Sequence, residues 1–320
     1  MHIIYDPVFL DHDTGYHPEN ANRLRALGEL KKMDFENGEN YLGLVHQDHY
    51  IETVRKASAR GEALDPDTIT SAGSYRCAVH AVGAAIEAAR TDGFAVVRPP
   101  GHHAYPDHAS GFCLFNNLAI AARYLVSKGK KVFVLDFDGH CGDGTEYFFY
   151  DSDQVLFFSI HQYPAFPGKG YVDEIGRAEG KGFTINAAIP PGGADDIYLD
   201  VLNTFLPLAH QFKPDVVAVS AGFDAHHSDP LLNLRYSANV FFETGNRLRT
   251  EFGNVFAILE GGYNLHFLPK CFYNFLAGMN GQKKFFDEPE TTSSETCFAT
   301  CYRRMDELKQ NLSPFWNLKG

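Results

Sequence analysis

No apolar run in this sequence approaches the roughly eighteen residues that a helix needs to cross a bilayer. The longest candidates are cut by Gly, Pro or a charge within about ten residues, so no membrane span is expected. Basic charge is also in short supply. Lys and Arg number 28 against 40 Asp and Glu, a formal net charge of -12, which argues against a sequence-independent grip on nucleic-acid phosphates. The same field would attract cationic substrates or simply keep the protein soluble. Cysteine is sparse: Cys77, Cys113, Cys141, Cys271, Cys297 and Cys301 are scattered without a disulfide framework. No basic and then apolar leader follows Met1, so free thiols in a reducing, cytoplasmic setting are expected. Internal repeats, low-complexity tracts and long linkers are missing as well. Residues 1–320 therefore read as one domain, with 283–320 as a surface excursion and a closing helix over about Thr296–Gln310 that buries Cys297 and Cys301. The sequence leaves the oligomeric state open.

What is present is a succession of short β-branched and aromatic runs, apolar on both faces: Phe94–Val97, Val132–Phe137, Val155–Ile160, Val216–Ser220 and Val255–Leu259. Between and around them, Ala78–Ala89, Leu114–Val126, Asp195–Gln211, Ala238–Phe252 and His266–Met279 place apolar residues at helical spacing. Strands buried on both faces and alternating with helices predict an α/β fold, a doubly wound, mostly parallel sheet with helices on both sides. The segment from Asp11 to His49, rich in His and Asp, predicts loops and short helices over one end of that sheet.

Polar clusters follow four of these runs, where an open α/β sheet opens its ligand crevice. They are Arg98-Pro99-Pro100-Gly101-His102-His103, then Asp136-Phe137-Asp138-Gly139-His140, then Gly222-Phe223-Asp224, and finally Glu260-Gly261-Gly262-Tyr263. If the second run stays extended to its end, Asp136, Asp138 and His140 project to one side. With Asp224 they would offer two carboxylates and an imidazole and leave a fourth metal position open, the pattern of a catalytic zinc site. A lone D-x-D-x-H is more often a set of loop caps, and only the company of the other clusters favours a metal. Adjacent His102 and His103 after a strand suit proton transfer, with Asp136 and Asp143 available to fix their tautomers. Tyr263, after two glycines, can offer a hydroxyl to an oxyanion.

Together these motifs resemble the histone deacetylase superfamily, in order from His17-Pro18-Glu19 to Tyr263-Asn264. Intermediate matches are S-G-F-C-L-F-N-N at 110–117, S-I-H at 159–161, F-P-G-K-G at 166–170 and D-P-L at 229–231. The resemblance implies that Asp138, His140 and Asp224 hold zinc, that His103 is general base and acid, and that His102 is its electrostatic companion. Asp143 and Asp136 would orient the two histidines. It also implies potassium at Asp136, Asp138, His140, Ser159 and the backbone of Ile160, with a second site near Phe149, Ser152 and Val155. Gly111, Phe112, Phe166 and Leu231 would line a tunnel for a linear acylated side chain. The substrate would be a small acetylated amine, such as an N-acetylpolyamine, or an acetyl-lysine peptide. Two departures stand out: Cys141 follows His140 where a second histidine is common, and Asp143 stands where some relatives carry Asn. Glu19, Asp107 and Asp229 flank the motifs and are candidates for an acidic rim. An arginase-like two-metal hydrolase would need a second carboxylate pair, and a catalytically silent binding module would be expected to lose a ligand, the His pair or the Tyr.

Overall fold

The computed structural model describes residues 1–318. Seven strands form one sheet: β1 (Ile3–Ile4), β2 (Phe94–Ala95), β3 (Val132–Asp136), β4 (Val155–Gln162), β5 (Thr184–Ile189), β6 (Val216–Ala221) and β7 (Val255–Leu259). Their order is β1-β2-β7-β6-β3-β4-β5, and every pairing is parallel. The hydrophobic runs predict five of these strands. β1 escapes because two residues show no period, and β5 because Asn186 and two alanines dilute its apolar signal. β2 is shorter than its run, which leads into Pro99 and Pro100, residues with no N–H to donate to a ladder.

Nine helices are described: α1 (Asn22–Ala26), α2 (Asp48–Arg60), α3 (Ser74–Thr91), α4 (Asn117–Ser127), α5 (Asp143–Phe149), α6 (Asp195–Phe212), α7 (Ala238–Glu251), α8 (Leu268–Met279) and α9 (Glu295–Leu312). Side-chain caps open α4, α7 and α9. α4 starts at Asn117 and not at Leu114 because the Asn116 side chain accepts from the Ala119 N–H at 2.9 Å. Ser294 accepts from the Cys297 N–H at 3.3 Å and opens α9. None of these helices is long and apolar enough to cross a membrane.

β3, β4, β6 and β7 are buried along their whole length. Helix α3 lies against β2 and β7 and packs on α4, α6 lies against β4, and α7 packs on α6 and α8. α9 covers the β5 edge, burying Cys297, Cys301, Met305, Leu308 and Leu312 at helical spacing. Burying each large apolar side chain there contributes about 1.5–3 kcal/mol. The stretch before α9 is less free than a surface excursion. Thr291 N donates to Asp195 at 3.1 Å and Ser293 N to Asp196 at 2.8 Å, while Glu288 accepts from Ala238 N at 2.8 Å.

The topology decides where a site can form. From β3 the chain steps to β4 and β5 toward one edge, then returns to β6 on the other side of β3. The loops after β3 and β6 therefore diverge and leave a crevice beyond their carboxyl ends. Asp136 and Ser220 are register partners at its floor.

Candidate active site and metal centre

β3 stops at Asp136, so alternation along a strand does not place Asp138 and His140. The loop does it by hydrogen bonds: the Asp138 N–H donates to Asp136 Oδ1 at 3.1 Å, and the His140 N–H to Asp138 Oδ1 at 2.9 Å. An extended chain would have satisfied these amides in a ladder, but here the chain leaves the sheet after Asp136 while β4 and β6 run on, and the carboxylates take over. Asp224 comes from beyond β6 and accepts from the Gly139 N–H at 2.7 Å. His140 Nδ1 lies 2.9 Å from Asp224 Oδ2 and 3.2 Å from Asp138 Oδ1. The Gly261 N–H donates to Asp138 Oδ2 at 2.8 Å. The backbone comes this close because Gly222 and Gly261 have no side chain: a Cβ on either would collide with the Asp138 carboxylate.

One atom each from Asp138, His140 and Asp224 lies within 4.8 Å of the others, and all three residues have little exposure. Among the described residues, only histidines stand within ion-pairing distance of the two buried carboxylates. Two desolvated anions without a fixed cation are costly, and a divalent ion bound by two carboxylates and a neutral imidazole removes that cost. The donor set therefore fits zinc.

A second group, His226, His227 and Glu288, is also close enough to hold an ion. His226 Nδ1 accepts the Ser228 N–H at 3.2 Å, which puts the ring proton on Nε2, 3.1 Å from Glu288. His227 Nε2 faces the other carboxylate oxygen at 2.9 Å. This is a hydrogen-bonded clamp that pins the stretch before α9 to the loop carrying Asp224. His226 stands where a D-x-D pair starting at Asp224 would place its second carboxylate, so the second acid a two-metal site would need is missing there.

The loop after β2 delivers the two histidines. Glu260 anchors it, accepting from Gly101 N at 2.7 Å and His102 N at 3.2 Å, and burial pushes the Glu260 carboxyl up to about 7. His102 Nδ1 is 3.1 Å from Asp136, and His103 Nδ1 is 2.7 Å from Asp143 at the start of α5. The two imidazoles titrate in opposite directions. Burial opposes charge on both, but at His102 the Asp138 and Asp136 carboxylates outweigh it and hold the ring well above its ordinary value. At His103 burial, reinforced by His102, wins over Asp143 and brings it down to about 4. The two rings lie 4.0 Å apart, centroid to centroid, so a ring whose charge the carboxylates favour neighbours one whose burial favours the neutral form.

A cavity of about 400 Å³ leads to this point, lined by His17, Pro18, Asp67, His103, Gly111, Phe112, His140, Phe166, Leu231 and Tyr263. All four expected tunnel residues are among them. Phe112 has φ +71°, uncommon for a bulky residue; its ring stands 5.7 Å from that of Tyr263 and 4.4 Å from that of His17. Phe166, about half exposed, packs edge-on 5.0 Å from His103. A Cβ at Gly111 would collide with the His103 ring and Phe166, so the cavity narrows there to the width of an unsubstituted backbone. Leu231 is exposed, as a mouth residue should be.

The acidic-rim expectation fails for two of its three members. Glu19 is 1% exposed: its carboxylate takes Arg98 Nε at 2.5 Å, a second Arg98 nitrogen at 2.8 Å and Arg23 at 3.1 Å. Breaking such a pair strands a buried charge at a cost of about 3–5 kcal/mol. Asp229 is 6% exposed and accepts from the N–H groups of Tyr263 at 2.7 Å, Asn264 at 3.1 Å and Leu231 at 3.1 Å. Both are structural struts. Asp107 is exposed but does not line the cavity, and it pairs with His108 at 2.7 Å.

Of the residues expected around potassium, Asp136 faces Ser159 across the β3–β4 register, and the Ser159 hydroxyl lies 2.9 Å from His161 Nδ1. Ile160 is the next residue of β4. Phe149 ends α5, its carbonyl accepts from Ser152 N at 2.9 Å, and Val155 opens β4. Sequence reading missed Asp67 as a lining residue, and it missed Arg23. The Arg23 guanidinium lies 4.9 Å from the Tyr263 ring centre and donates to the backbone carbonyls of Gly262 at 2.6 Å and Glu260 at 2.5 Å. An arginine in an unremarkable short helix carries no local signal for that role. The Asp-Pro-Asp turn around Asp67 could have flagged a loop near the mouth.

The chain matches the model of the Histone deacetylase domain over residues 17–279. It is similar to a "Probable deacetylase" of Archaeoglobus fulgidus, 34% identical over 340 residues, with 97% of this chain and 95% of that protein covered. It is also similar to "Histone deacetylase 10, chloroplastic" of Oryza sativa subsp. japonica, 32% identical over 337 residues, with 90% and 76% covered. The crystal structure of the HDA15 HD domain superposes with a TM-score of 0.88 at 29% identity, over 99% of this chain and 97% of that one.

Proposed function

Because the chain belongs to the histone deacetylase domain family, we propose that it is a zinc-dependent hydrolase removing acetyl or related acyl groups from amines on linear chains. Residues 1–320 are read as one catalytic domain. The observation that carries this reading is His103, tied through Nδ1 to Asp143, beside the buried Asp138, His140 and Asp224, whose ligand atoms could meet on one ion, all at one end of a narrow cavity.

Asp138, His140 and Asp224 would hold the zinc. When bound, it supplies Lewis acidity that polarises an amide carbonyl and makes water a better acid. His103 takes the water proton at Nε2, since Asp143 occupies Nδ1, and later gives a proton to the leaving amine. The Tyr263 hydroxyl donates to the carbonyl oxygen as negative charge develops on it. Burial pushes that phenol well above its ordinary value, which keeps it a donor at neutral pH. His102, held by Asp136, contributes a positive charge beside His103 and discourages its early protonation. Gly111, Phe112 and Phe166 exclude water from the linear chain, and Leu231 meets the group beyond it.

The potassium assignments belong to the same reading: Asp136, Asp138, His140, Ser159 and the Ile160 backbone would form one site, and the turn around Phe149, Ser152 and Val155 would form the other. The six cysteines are free and buried, in keeping with a reducing, cytoplasmic setting. Leu231 brings no charge to the mouth, and the exposed Asp67 brings one acid. The enzyme is therefore expected to accept both classes of linear acetamide. Acetate release should be measured on an acetyl-lysine peptide, acetylputrescine and acetylspermidine with one zinc-loaded preparation. Turnover of at least one is expected; inertness across this panel and a wider set of acyl amines would replace the reading with a binding module.

A further inference from the structure

His103 and Asp143 are the first two members of a longer chain of contacts. The second oxygen of Asp143 accepts from the Tyr105 hydroxyl at 2.7 Å, and the Tyr105 oxygen accepts from Lys169 Nζ at 2.7 Å. Tyr105 is 7% exposed and lies against His108, ring centres 4.5 Å apart, so its phenol cannot swing away freely. Lys169 belongs to the F-P-G-K-G loop that also carries the tunnel wall Phe166, but its ammonium points to a separate cavity of about 230 Å³. That cavity is lined by Asp143, Tyr105, Glu146 and Glu174 among others and shares no lining residue with the tunnel. Asp143 thus stands between two openings: it reaches the tunnel through His103 and the second cavity through Tyr105.

The chain has one direction. A lysine ammonium can only donate, so Tyr105 must accept from it and has its single proton left for Asp143. An ionised Asp143 can only accept, so His103 must donate from Nδ1, and its Nε2 is left with the lone pair that a base requires. Without Lys169, the phenol is free to turn its proton away from Asp143. Asp143, which burial by itself would push toward neutrality, then loses one of the hydrogen bonds that keep it below the usual carboxylate range. The same tether fixes the loop bearing Phe166 to the loop bearing His103.

We propose that Tyr105 and Lys169 are positioning residues that lock the orientation and ionisation of Asp143 and, through it, the working tautomer of His103. The proposal rests on the reading of His103 as the base. Lys169 is exposed, so replacing it should not disturb folding. In zinc-loaded enzyme, Lys169→Met and Tyr105→Phe are expected to lower kcat on an acetyl-lysine peptide about 10-fold or more. KM and zinc content should stay at the wild-type values. Lys169→Arg, which keeps a cationic donor, should recover most of the loss. A wild-type kcat in Lys169→Met, or a loss confined to KM, would overturn the proposal. A second readout does not need turnover: the proton NMR resonance of the His103 Nδ1–H, identified by its loss in His103→Ala. It should stand far downfield in wild type and Lys169→Arg and shift or broaden in Lys169→Met. An unchanged resonance in Lys169→Met would also overturn the proposal. If the wild type turned over no acyl amine at all, the deacetylase reading would fail and this resonance would still decide the role of Lys169.

Discussion

The Tyr263→Phe variant is expected to lose about 10²–10³-fold in kcat, the usual cost of removing one oxyanion donor, with zinc content and KM close to wild type. The substitution is clean because it removes only the hydroxyl. The ring keeps its edge-on contact with Phe112 and its place by the Arg23 guanidinium. The backbone keeps its N–H bond to Asp229. Gly262, at φ +115°, sets the turn whichever ring follows it. A drop in kcat without a change in KM is the signature of an interaction made only as charge develops on the carbonyl oxygen. A variant within a few-fold of wild type would remove Tyr263 from the reaction and leave it a packing residue.

His103→Ala is expected to lower kcat by about 10²–10⁴-fold, the range for a positioned general acid–base. His103 meets the proposed zinc-binding group through ring packing, 6.1 Å between its centre and that of His140. Zinc should therefore remain at the wild-type stoichiometry, measured by elemental analysis on the same samples. The imidazole also forms part of the tunnel wall beside Phe166 and Gly111, so KM can move as well; kcat is the quantity that reports the proton transfer. Zinc-replete His103→Ala enzyme with substantial turnover would mean that another group takes the proton.

Much of this molecule could be read from its sequence because the signals are local. Five strands announce themselves by runs apolar on both faces, and the four polar clusters that follow strands converge because parallel strands end on the same side. What could not be read depends on partners distant in sequence. Glu19 reads as a rim acid in the sequence, but Arg23 and Arg98 close over it; Asp229 reads the same way, but three amides point at it. A carboxylate beside a motif gives no hint of whether it faces water or a buried guanidinium. Asp138 and His140 do meet Asp224, but not by strand alternation: the strand ends before them, and side-chain to backbone hydrogen bonds bring the three together. β5 and Arg23 carried too little pattern to register at all. Lys169 lay in plain view inside a matched motif, but its contact with Tyr105 depends on two loops meeting.

The central claim is that one zinc ion, held by Asp138, His140 and Asp224, makes this chain an amide hydrolase. Its most direct test is acetate release from an acetyl-lysine peptide by metal-stripped protein as zinc is added back in measured fractions of an equivalent. The rate should be close to zero in the stripped protein, rise linearly and level off at one zinc per chain. Full activity without metal, or a rise that continues to two ions per chain, would contradict it.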